Sequence, residues 1–467
     1  MSAAIPLKTQ SEANGATGFG RWLHRSYFRG TALRWYFTRR IRPAGLMLGG
    51  AFTVAICLAA GHERAPVYQL FSLAGALAAI SMPWALLRRA RLDAIREVPH
   101  HATAGEPLRY AVRLKNHGRR LSRAWLLETP PDPRPDRDDF LTLREPGEEE
   151  RNRFDRTFAY FRWQWLLLRN RLFDGGASAD EIILEPGAST RIHVDLIPRR
   201  RGMIRLDGMR VALPDPFGFF QGIRRVPAPS AAVIVLPRRH PLPRIQLPGA
   251  NAFTINGEAT TNAIGQSGEF VGLRDYRPGD PPRHIHWKSW ARTGRPIVKE
   301  LEENHYPRYG LVFDTFSIAP DDHAFEESVS VAASFAAGFA TGESLLDLMF
   351  VNNEAFRVTA GRGVERAGKL LEVLAGVSAQ RRTNHHQLLS LVLRHAADMT
   401  SCIVILNGWD AARAEFLSAL SGAGIACVPV IIGDGARQPG TPGYWIDARH
   451  TARDLANLPA MLVPHFI

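Results

Sequence analysis

Two long runs without a charged residue lie near the start of the chain, and they restrict its fold more than any other feature. They cover residues 43–61 and 66–87, with only four residues between them. As helices rising 1.5 Å per residue they would reach roughly 28 and 33 Å, against about 30 Å for the hydrocarbon core of a bilayer. The pattern predicts a transmembrane helical hairpin over 43–87. A cleaved signal peptide is the alternative, and the second run argues against it.

Arginine is distributed unevenly around these runs. Residues 1–42 form a basic N-terminal segment with +7 of the chain's net charge of +13, and Arg88, Arg89 and Arg91 follow the second run directly. By the positive-inside rule, this predicts a multi-pass protein of the inner (plasma) membrane, with both termini and the soluble domains in the cytoplasm. Arginines and aromatic residues interleave over 20–40, which is typical of an interfacial helix on anionic lipid or of a partly ordered basic tail.

The remaining composition excludes several classes of protein. The chain has 53 arginines and 5 lysines, but the 425 residues after the basic segment carry only +6. This mild charge argues against a nucleic-acid channel. The three cysteines, Cys57, Cys402 and Cys427, lie in apolar runs at irregular spacing. Neither a disulfide framework nor a thiolate metal cluster is therefore expected.

The middle of the chain has the pattern of short strands. Apolar and polar residues alternate over 108–114 and 191–196, and proline and glycine separate such segments. Residues 97–240 are therefore predicted to form an antiparallel β-sandwich-like domain. An insertion near 144–176 interrupts it with six large aromatic residues among arginines. It could pack onto the sandwich, or form an amphipathic helix against the membrane or a partner.

The last third alternates between buried strands and helices. Residues 311–313, 402–406 and 425–432 are apolar runs, and amphipathic segments lie between them. This order predicts an α/β doubly wound sheet with helices on both faces. Ligands of such sheets bind at the carboxyl ends of strands, which places Asp314 and Asn407 at the rim.

The most distinctive stretch lies at 268–302. It contains R-D-Y-R-P-G-D at 274–280, H-I-H-W at 284–287 and V-K-E-L-E at 298–302. The order of residues predicts a strand, a Pro-Gly turn, an alternating strand and a turn at 292–295. Its arginines and carboxylates suit fork-shaped ion pairs, which would serve either as a docking surface for a partner or as a structural clasp. A metal site at the two histidines lacks a third ligand nearby.

This stretch resembles the domain-of-unknown-function-58 family of bacterial membrane-anchored proteins. Two shorter segments, R-R-G at 200–202 and D-P-F-G at 215–218, and the paired apolar runs also match that family. The resemblance covers nearly the whole chain apart from the basic leader and the aromatic insertion. It implies that residues 265–467 hold the signature and a von Willebrand factor A-like domain. It also implies a MoxR-type AAA+ ATPase as partner.

The same resemblance bears on metal binding. A domains hold Mg²⁺ through D-x-S-x-S after the first strand, followed by a later threonine and aspartate. Here Phe316 and Ile318 stand where the two hydroxyls belong, and Asn407 stands where the aspartate is expected. Too few oxygen ligands remain for tight magnesium binding, so no metal or other cofactor is expected. The degenerate ligand candidates are Asp314, Ser317 and Thr383.

The predicted function is that of a non-catalytic, membrane-tethered adaptor. It would present the A-like domain to a MoxR-type AAA+ ATPase or its client proteins in envelope-complex assembly. Other membrane or envelope proteins and the lipid bilayer are further expected partners, and nucleic acid is not. The predicted partner-binding residues all lie in the signature: Arg274, Tyr276, Asp280, Arg283, His286, Trp287, Arg292, Glu300 and Glu302.

Two alternatives remain open. The first is a metal-assisted hydrolase built on Asp280, His284, His286 and Asp314. The sequence contains no nucleophile elbow, phosphate-binding glycine loop or HExxH helix, so an enzyme is not expected. Convergence of Asp314 and His286 to within about 6 Å would favour the hydrolase. The second alternative is a structural envelope scaffold without an ATPase partner.

Overall fold

A computed structural model describes residues 8–59, 65–247, 269–302, 308–317, 323–340, 345–352, 354–360, 364–380 and 384–464. Contacts within the chain divide it into an N-terminal unit, Met1–Leu236, and a C-terminal unit, Pro237–Ile467. Each unit is described by itself below.

The described residues of the N-terminal unit form six α-helices and eleven strands. The helices are α1 (Lys8–Thr38), α2 (Pro43–Ala59), α3 (Ala65–Leu87), α4 (Arg137–Thr142), α5 (Arg153–Phe158) and α6 (Tyr160–Asn170). The strands are β1 (Leu92–Glu97), β2 (His101–Thr103), β3 (Leu108–Asn116), β4 (Leu121–Glu128), β5 (Phe173–Ser178), β6 (Ile182–Leu184), β7 (Ser189–Pro198), β8 (Gly202–Leu206), β9 (Met209–Pro214), β10 (Gln221–Arg225) and β11 (Ala231–Leu236).

These strands form two sheets around one core. An antiparallel sheet of eight strands has the order β1-β3-β7-β5-β4-β9-β10, with β6 paired to β4. The second sheet has the order β2-β11-β8, and its β2–β11 pair is parallel, which the predicted antiparallel pattern did not include. Buried and exposed residues alternate along β7, so one face points inward. Val194 from the large sheet and Val233 from the small one belong to the same buried cluster.

A buried ion pair lies within this core. Arg96 donates to both carboxylate oxygens of Glu128, at 2.8 and 3.0 Å, and Tyr110 donates to the same carboxylate at 3.1 Å. Burial and the neighbouring carboxylate raise the pKa of Tyr110 far above its ordinary value, so its hydroxyl stays a donor.

Helices α2 and α3 form a pair, with Phe52 stacked on Phe71 at 4.7 Å between ring centres. Across the described ranges, no helix is at once long enough and apolar enough to pass through a membrane. This contradicts the predicted transmembrane hairpin, and with it the membrane-anchored fold class and the multi-pass inner-membrane localisation.

Two different features distinguish helices α2 and α3 from the membrane spans that the sequence predicted. The described part of helix α2, Pro43–Ala59, has 17 residues, which rise only about 25 Å against a hydrocarbon core of about 30 Å. Helix α3 is longer, but its last turn packs on β10. A Cβ atom on Gly222 would collide with the carbonyl oxygen of Ala85, and Arg224 donates to the carbonyl of Arg88 at 3.0 Å. A count of uncharged residues in the sequence gives no information about this contact between α3 and β10.

The aromatic insertion packs against the N-terminal helix. Leu23 of α1 shares a buried cluster with Phe140 of α4 and with Trp163 and Leu166 of the insertion. The indole of Trp163 donates to the hydroxyl of Thr31 at 3.1 Å. Both earlier interpretations of the insertion, packing onto the sandwich or binding outside the chain, missed this partner.

Within its described ranges, the C-terminal unit forms eight strands and six α-helices. The strands are β12 (Glu269–Asp275), β13 (Ile297–Glu302), β14 (Arg308–Phe313), β15 (Leu345–Asn352), β16 (Glu354–Ala360), β17 (Ser401–Asn407), β18 (Cys427–Gly433) and β19 (Tyr444–Asp447). The helices are α7 (Trp287–Thr293), α8 (His323–Ala340), α9 (Val364–Gly376), α10 (His385–Arg394), α11 (Ala411–Gly422) and α12 (Thr451–Ala456).

Six of these strands form a mixed sheet of order β16-β15-β14-β17-β18-β19, in which only β16 is antiparallel to its neighbour. All residues of β17 and β18 are buried, as expected for strands covered on both faces. Val404 packs into a cluster with α10 and α11, while its neighbours Ile403 and Ile405 point to the opposite face. Cys402 and Cys427 meet across β17 and β18 as free, buried thiols with sulfurs 3.3 Å apart.

Candidate functional site

The signature forms a hairpin of β12 and β13 with a helical tip. The two strands pair antiparallel, and the N–H of Tyr276 continues the pairing by donating to Pro296 at 3.0 Å. A 3-10 turn, Pro282–His284, and helix α7 follow, where a second alternating strand was predicted. That prediction is wrong because two consecutive prolines, Pro281 and Pro282, lack the N–H groups that a strand ladder needs.

An arginine–carboxylate fork fixes the turn of this hairpin. Arg274 donates to the two oxygens of Asp280 at 2.8 and 2.7 Å, and the backbone N–H of Arg277 adds a bond at 2.8 Å. The bonds from Arg274 and then from Arg277 lower the pKa of Asp280 to about 2. Two donors on one carboxylate hold the loop in a single geometry.

His286 caps helix α7. Its Nδ1 atom accepts from the N–H of Ser289 at 3.3 Å and lies 2.7 Å from the Ser289 hydroxyl. The N–H of His286 donates to Ile297 of β13 at 2.8 Å. The imidazole is therefore engaged in local structure, and His284 lies half-buried in the preceding 3-10 turn.

The tip of the hairpin presents a pair of stacked tryptophans. The rings of Trp287 and Trp290 lie 5.2 Å apart at 21°, and Trp287 is 63% exposed. Tyr276, Arg283 and Arg292 are also exposed. We call the set Tyr276, Arg283, Trp287, Trp290 and Arg292 the signature surface. Of the remaining predicted binding residues, Glu300 and Glu302 lie in β13, where the structure describes only their backbone.

A second polar group lies at the carboxyl end of the large sheet, directly after β14. Asp314 is fully buried, and its Oδ1 atom accepts from the N–H of Phe316 at 2.9 Å. Its Oδ2 atom accepts from Nε of Arg413 at 2.7 Å. Arg413 also donates to the carbonyl of Phe316 at 2.8 Å and to the carboxylate of Asp410. The carboxylate that could have bound a metal therefore has a guanidinium as its cation.

His385, at the start of α10, lines the same buried group. Its Nε2 atom lies 3.8 Å from Asp314 Oδ1, too far for a hydrogen bond, and it has no bonded partner among the described residues. Its ring packs edge-on against Phe316, with centres 4.8 Å apart. The imidazole thus fills apolar space next to the ion pair.

The structure describes two further positions that the metal motif would use, Ser317 and Asn407. The N–H of Ser317 donates to Gln380 at 3.0 Å, and Asn407 ends β17 as a buried side chain. Thr383 lies outside the described residues. Within the described ranges, no group of three or more histidine, cysteine, aspartate or glutamate side chains could hold a metal.

The residues of the hydrolase hypothesis engage separate partners. Asp280 binds Arg274, His286 binds Ser289, and Asp314 binds Arg413. Each carboxylate is thereby held by an arginine, which a general base or a metal ligand would have to lose first. No observation on the described residues assembles them into one catalytic group.

Sequence reasoning missed Arg413 and His385. Arg413 follows Asp410, whose side chain caps helix α11 by accepting from the Arg413 N–H at 2.9 Å. The motif D-x-x-R at a helix start was visible in the sequence as a capping signal. The pairing of Arg413 with Asp314, 99 residues earlier, could not be read from the sequence.

Comparisons with known proteins give a family match over part of the chain. The family model described as "Protein of unknown function DUF58" matches residues 272–409, which confirms the predicted resemblance there. The "Uncharacterized protein YeaD" of Bacillus subtilis (strain 168) is 39% identical over 64 residues, 14% of this chain and 15% of that protein. The matched region thus spans less than a sixth of that relative's length.

A solved structure was also found. It is the CARDB domain of the PF1109 protein from Pyrococcus furiosus, in complex with di-metal ions. The match has 11% sequence identity and a TM-score of 0.16, and it covers 32% of this chain and 92% of that one.

Proposed function

We propose that the protein is a non-catalytic adaptor that binds a partner protein through the signature surface. The doubly wound sheet and its helices would be a von Willebrand factor A-like domain in which an arginine replaces the metal ion. The partner would be a MoxR-type AAA+ ATPase or one of its clients, as the family resemblance implies.

The observation that carries this proposal is the exposure of Trp287. Tryptophan, tyrosine and arginine dominate the energetic centres of protein interfaces, and the signature surface combines all three. Stacking on Trp290 holds the exposed ring in place, so little side-chain entropy remains to be lost on binding. The Arg274–Asp280 fork fixes the loop on which these residues lie.

The Asp314–Arg413 pair supports the non-catalytic part of the proposal. Both side chains are at least nine-tenths buried, and the guanidinium binds the Oδ2 atom of the carboxylate at 2.7 Å. A cation that is built into the chain provides charge balance but no open coordination position for a substrate or a water.

The test uses the full-length protein and a purified MoxR-type ATPase from the same organism. We expect Trp287→Ala to raise the Kd at least tenfold, the size of a modest interface hot spot of about 1.4 kcal/mol. Trp22→Ala is the matched control, because Trp22 is 60% exposed and stacks on Phe19 at 5.9 Å. It should bind like the wild type.

Biolayer interferometry, with and without ATP, measures the Kd of the wild type and of each variant. Equal Kd values for wild type and Trp287→Ala would refute the signature surface as the docking site. Absence of wild-type binding in every nucleotide state would refute the ATPase as the partner.

A further inference from the structure

A polar cleft of about 750 Å³ lies in the C-terminal unit, away from both groups described above. Arg238 and His240, just before the sheet begins, form one wall. The first turns of α8 form the second wall, and the segment 448–453, which enters α12, forms the third. The volume lies within the range of about 300–1,000 Å³ that is usual for small-molecule sites.

Two arginines supply positive charge to the cleft. Arg238 and Arg449 both line the cleft and are exposed. Within the described part of the chain, no carboxylate forms an ion pair with either guanidinium. Three histidines, His240, His323 and His450, add further ring nitrogens to the same cleft.

One wall of the cleft is rigid. His240 is buried, its N–H donates to the hydroxyl of Ser334 at 2.8 Å, and its Nε2 atom lies 3.2 Å from Glu327 Oε2. Burial raises the pKa of Glu327, but hydrogen bonds from His240 and Thr451 outweigh it, and the pKa is lowered overall. Glu327 is therefore ionised and is already hydrogen-bonded to its own partners, His240 and Thr451.

The lining also restricts the chemistry of the rest of the ligand, beyond its anionic group. It contains no tryptophan, tyrosine, phenylalanine or large aliphatic side chain, so neither a nucleobase nor an apolar group would find a stacking or packing surface. Asp434 lines the cleft as well, and among the described residues no cation is paired with it. A free carboxylate beside two guanidinium groups suits hydroxyl donors on a ligand that also carries an anion.

We propose that this cleft binds a phosphate monoester of a polyhydroxylated small molecule, such as a sugar phosphate. Arg238 and Arg449 hold the phosphate, whose tetrahedral oxygens accept paired bonds from the planar guanidinium groups. Asp434 accepts from a ligand hydroxyl. This role is separate from partner binding at the signature surface and does not depend on it.

The test is isothermal titration calorimetry on the full-length protein with three probes. Ribose 5-phosphate should bind, inorganic phosphate should bind more weakly, and ribose should give no measurable heat of binding. Arg238→Gln and Arg449→Gln should each weaken ribose 5-phosphate binding at least tenfold. Both arginines are exposed, so both variants should keep the wild-type thermal midpoint.

Arg394→Gln serves as the matched control. Arg394 is exposed in the same unit, and among the residues that the structure describes its guanidinium bonds only to the Ser390 carbonyl of its own helix. Unchanged ribose 5-phosphate affinity in this variant supports the proposal. The proposal is overturned if ribose binds as well as its phosphate, if sulfate competes equally with ribose 5-phosphate, or if binding survives both cleft substitutions.

Discussion

Replacing Arg413 with methionine tests the meaning of the buried ion pair directly. The wild-type guanidinium binds Asp314, the carbonyl of Phe316 and Asp410, and its side chain is only 8% exposed. Arg413→Met keeps the aliphatic stem and the helix cap at the backbone N–H. It removes the cation and leaves a fully buried carboxylate without its charged partner.

The expected loss of stability follows from that isolation. Removing one partner of a buried ion pair typically costs about 3–5 kcal/mol, because the remaining charge stays desolvated. For a unit of this size, one kcal/mol corresponds to about 2–4 °C in Tm, so we expect a drop of roughly 6–20 °C. Asp314→Asn combined with Arg413→Met should recover part of the loss, since no buried charge then remains.

The assay is thermal unfolding of the full-length chain, followed by tryptophan fluorescence. Two reporters, Trp409 and Trp445, pack against the core cluster next to this site. Arg394→Met is the control and should stay within about 0.5 kcal/mol of wild type, as exposed positions usually do. A drop below 2 °C for Arg413→Met would refute the reasoning about the pair.

Calorimetric titration with Mg²⁺ tests the same site from the ligand side. With the guanidinium on Asp314, we expect no binding of micromolar affinity. A micromolar Kd would show that a metal displaces or bypasses Arg413, and the arginine could then no longer be regarded as a replacement for the ion.

Three further outcomes are expected. Arg274→Gln should raise the pKa of Asp280 from about 2 toward its ordinary 3.8, as measured by NMR titration. The wild-type pair therefore stabilises the hairpin above pH 4 or so, and this stabilisation is lost as the pH falls toward 2; unchanged titration would contradict the fork. A maleimide should label Cys57 alone in the native protein, and the two buried cysteines only after denaturation; native labelling of all three thiols would contradict their burial. Leu166→Ala should cost about 2–5 kcal/mol because Leu166 is fully buried, while Leu168→Ala, at an exposed position, should cost less than about 0.5; equal losses in denaturant unfolding would argue against the insertion core.

The local pattern of polar and apolar residues correctly predicted those strands in which each residue's burial follows its own polarity. The run Cys402–Leu406 is apolar at every position, and the structure buries every residue of β17 between helices. The alternation at 191–196 likewise corresponds to β7, with one face inward and one outward. In both cases, each residue's own polarity matches its burial, so neighbours in sequence carry the information.

The local pattern gave wrong predictions where contacts or residues outside the segment determine its structure. An uncharged run suggested a membrane span, but the described part of α2 is shorter than a bilayer core, and α3 packs its end on β10. The alternation over 283–287 suggested a strand, yet His286 begins a helix after two prolines. Polarity counts cannot distinguish apolar residues that pack on protein from those that would face lipid.

The sequence alone indicated the central strands β14, β17 and β18 of the α/β sheet and placed Asp314 at a strand's carboxyl end. Only the tertiary structure decided what that carboxylate binds, because Arg413 reaches it from 99 residues away. The same holds for the cleft, whose Arg238 and Arg449 are separated by most of the C-terminal unit. Burial and backbone pairing follow from short-range periodicity, whereas ion pairs and cavities depend on how distant segments come together.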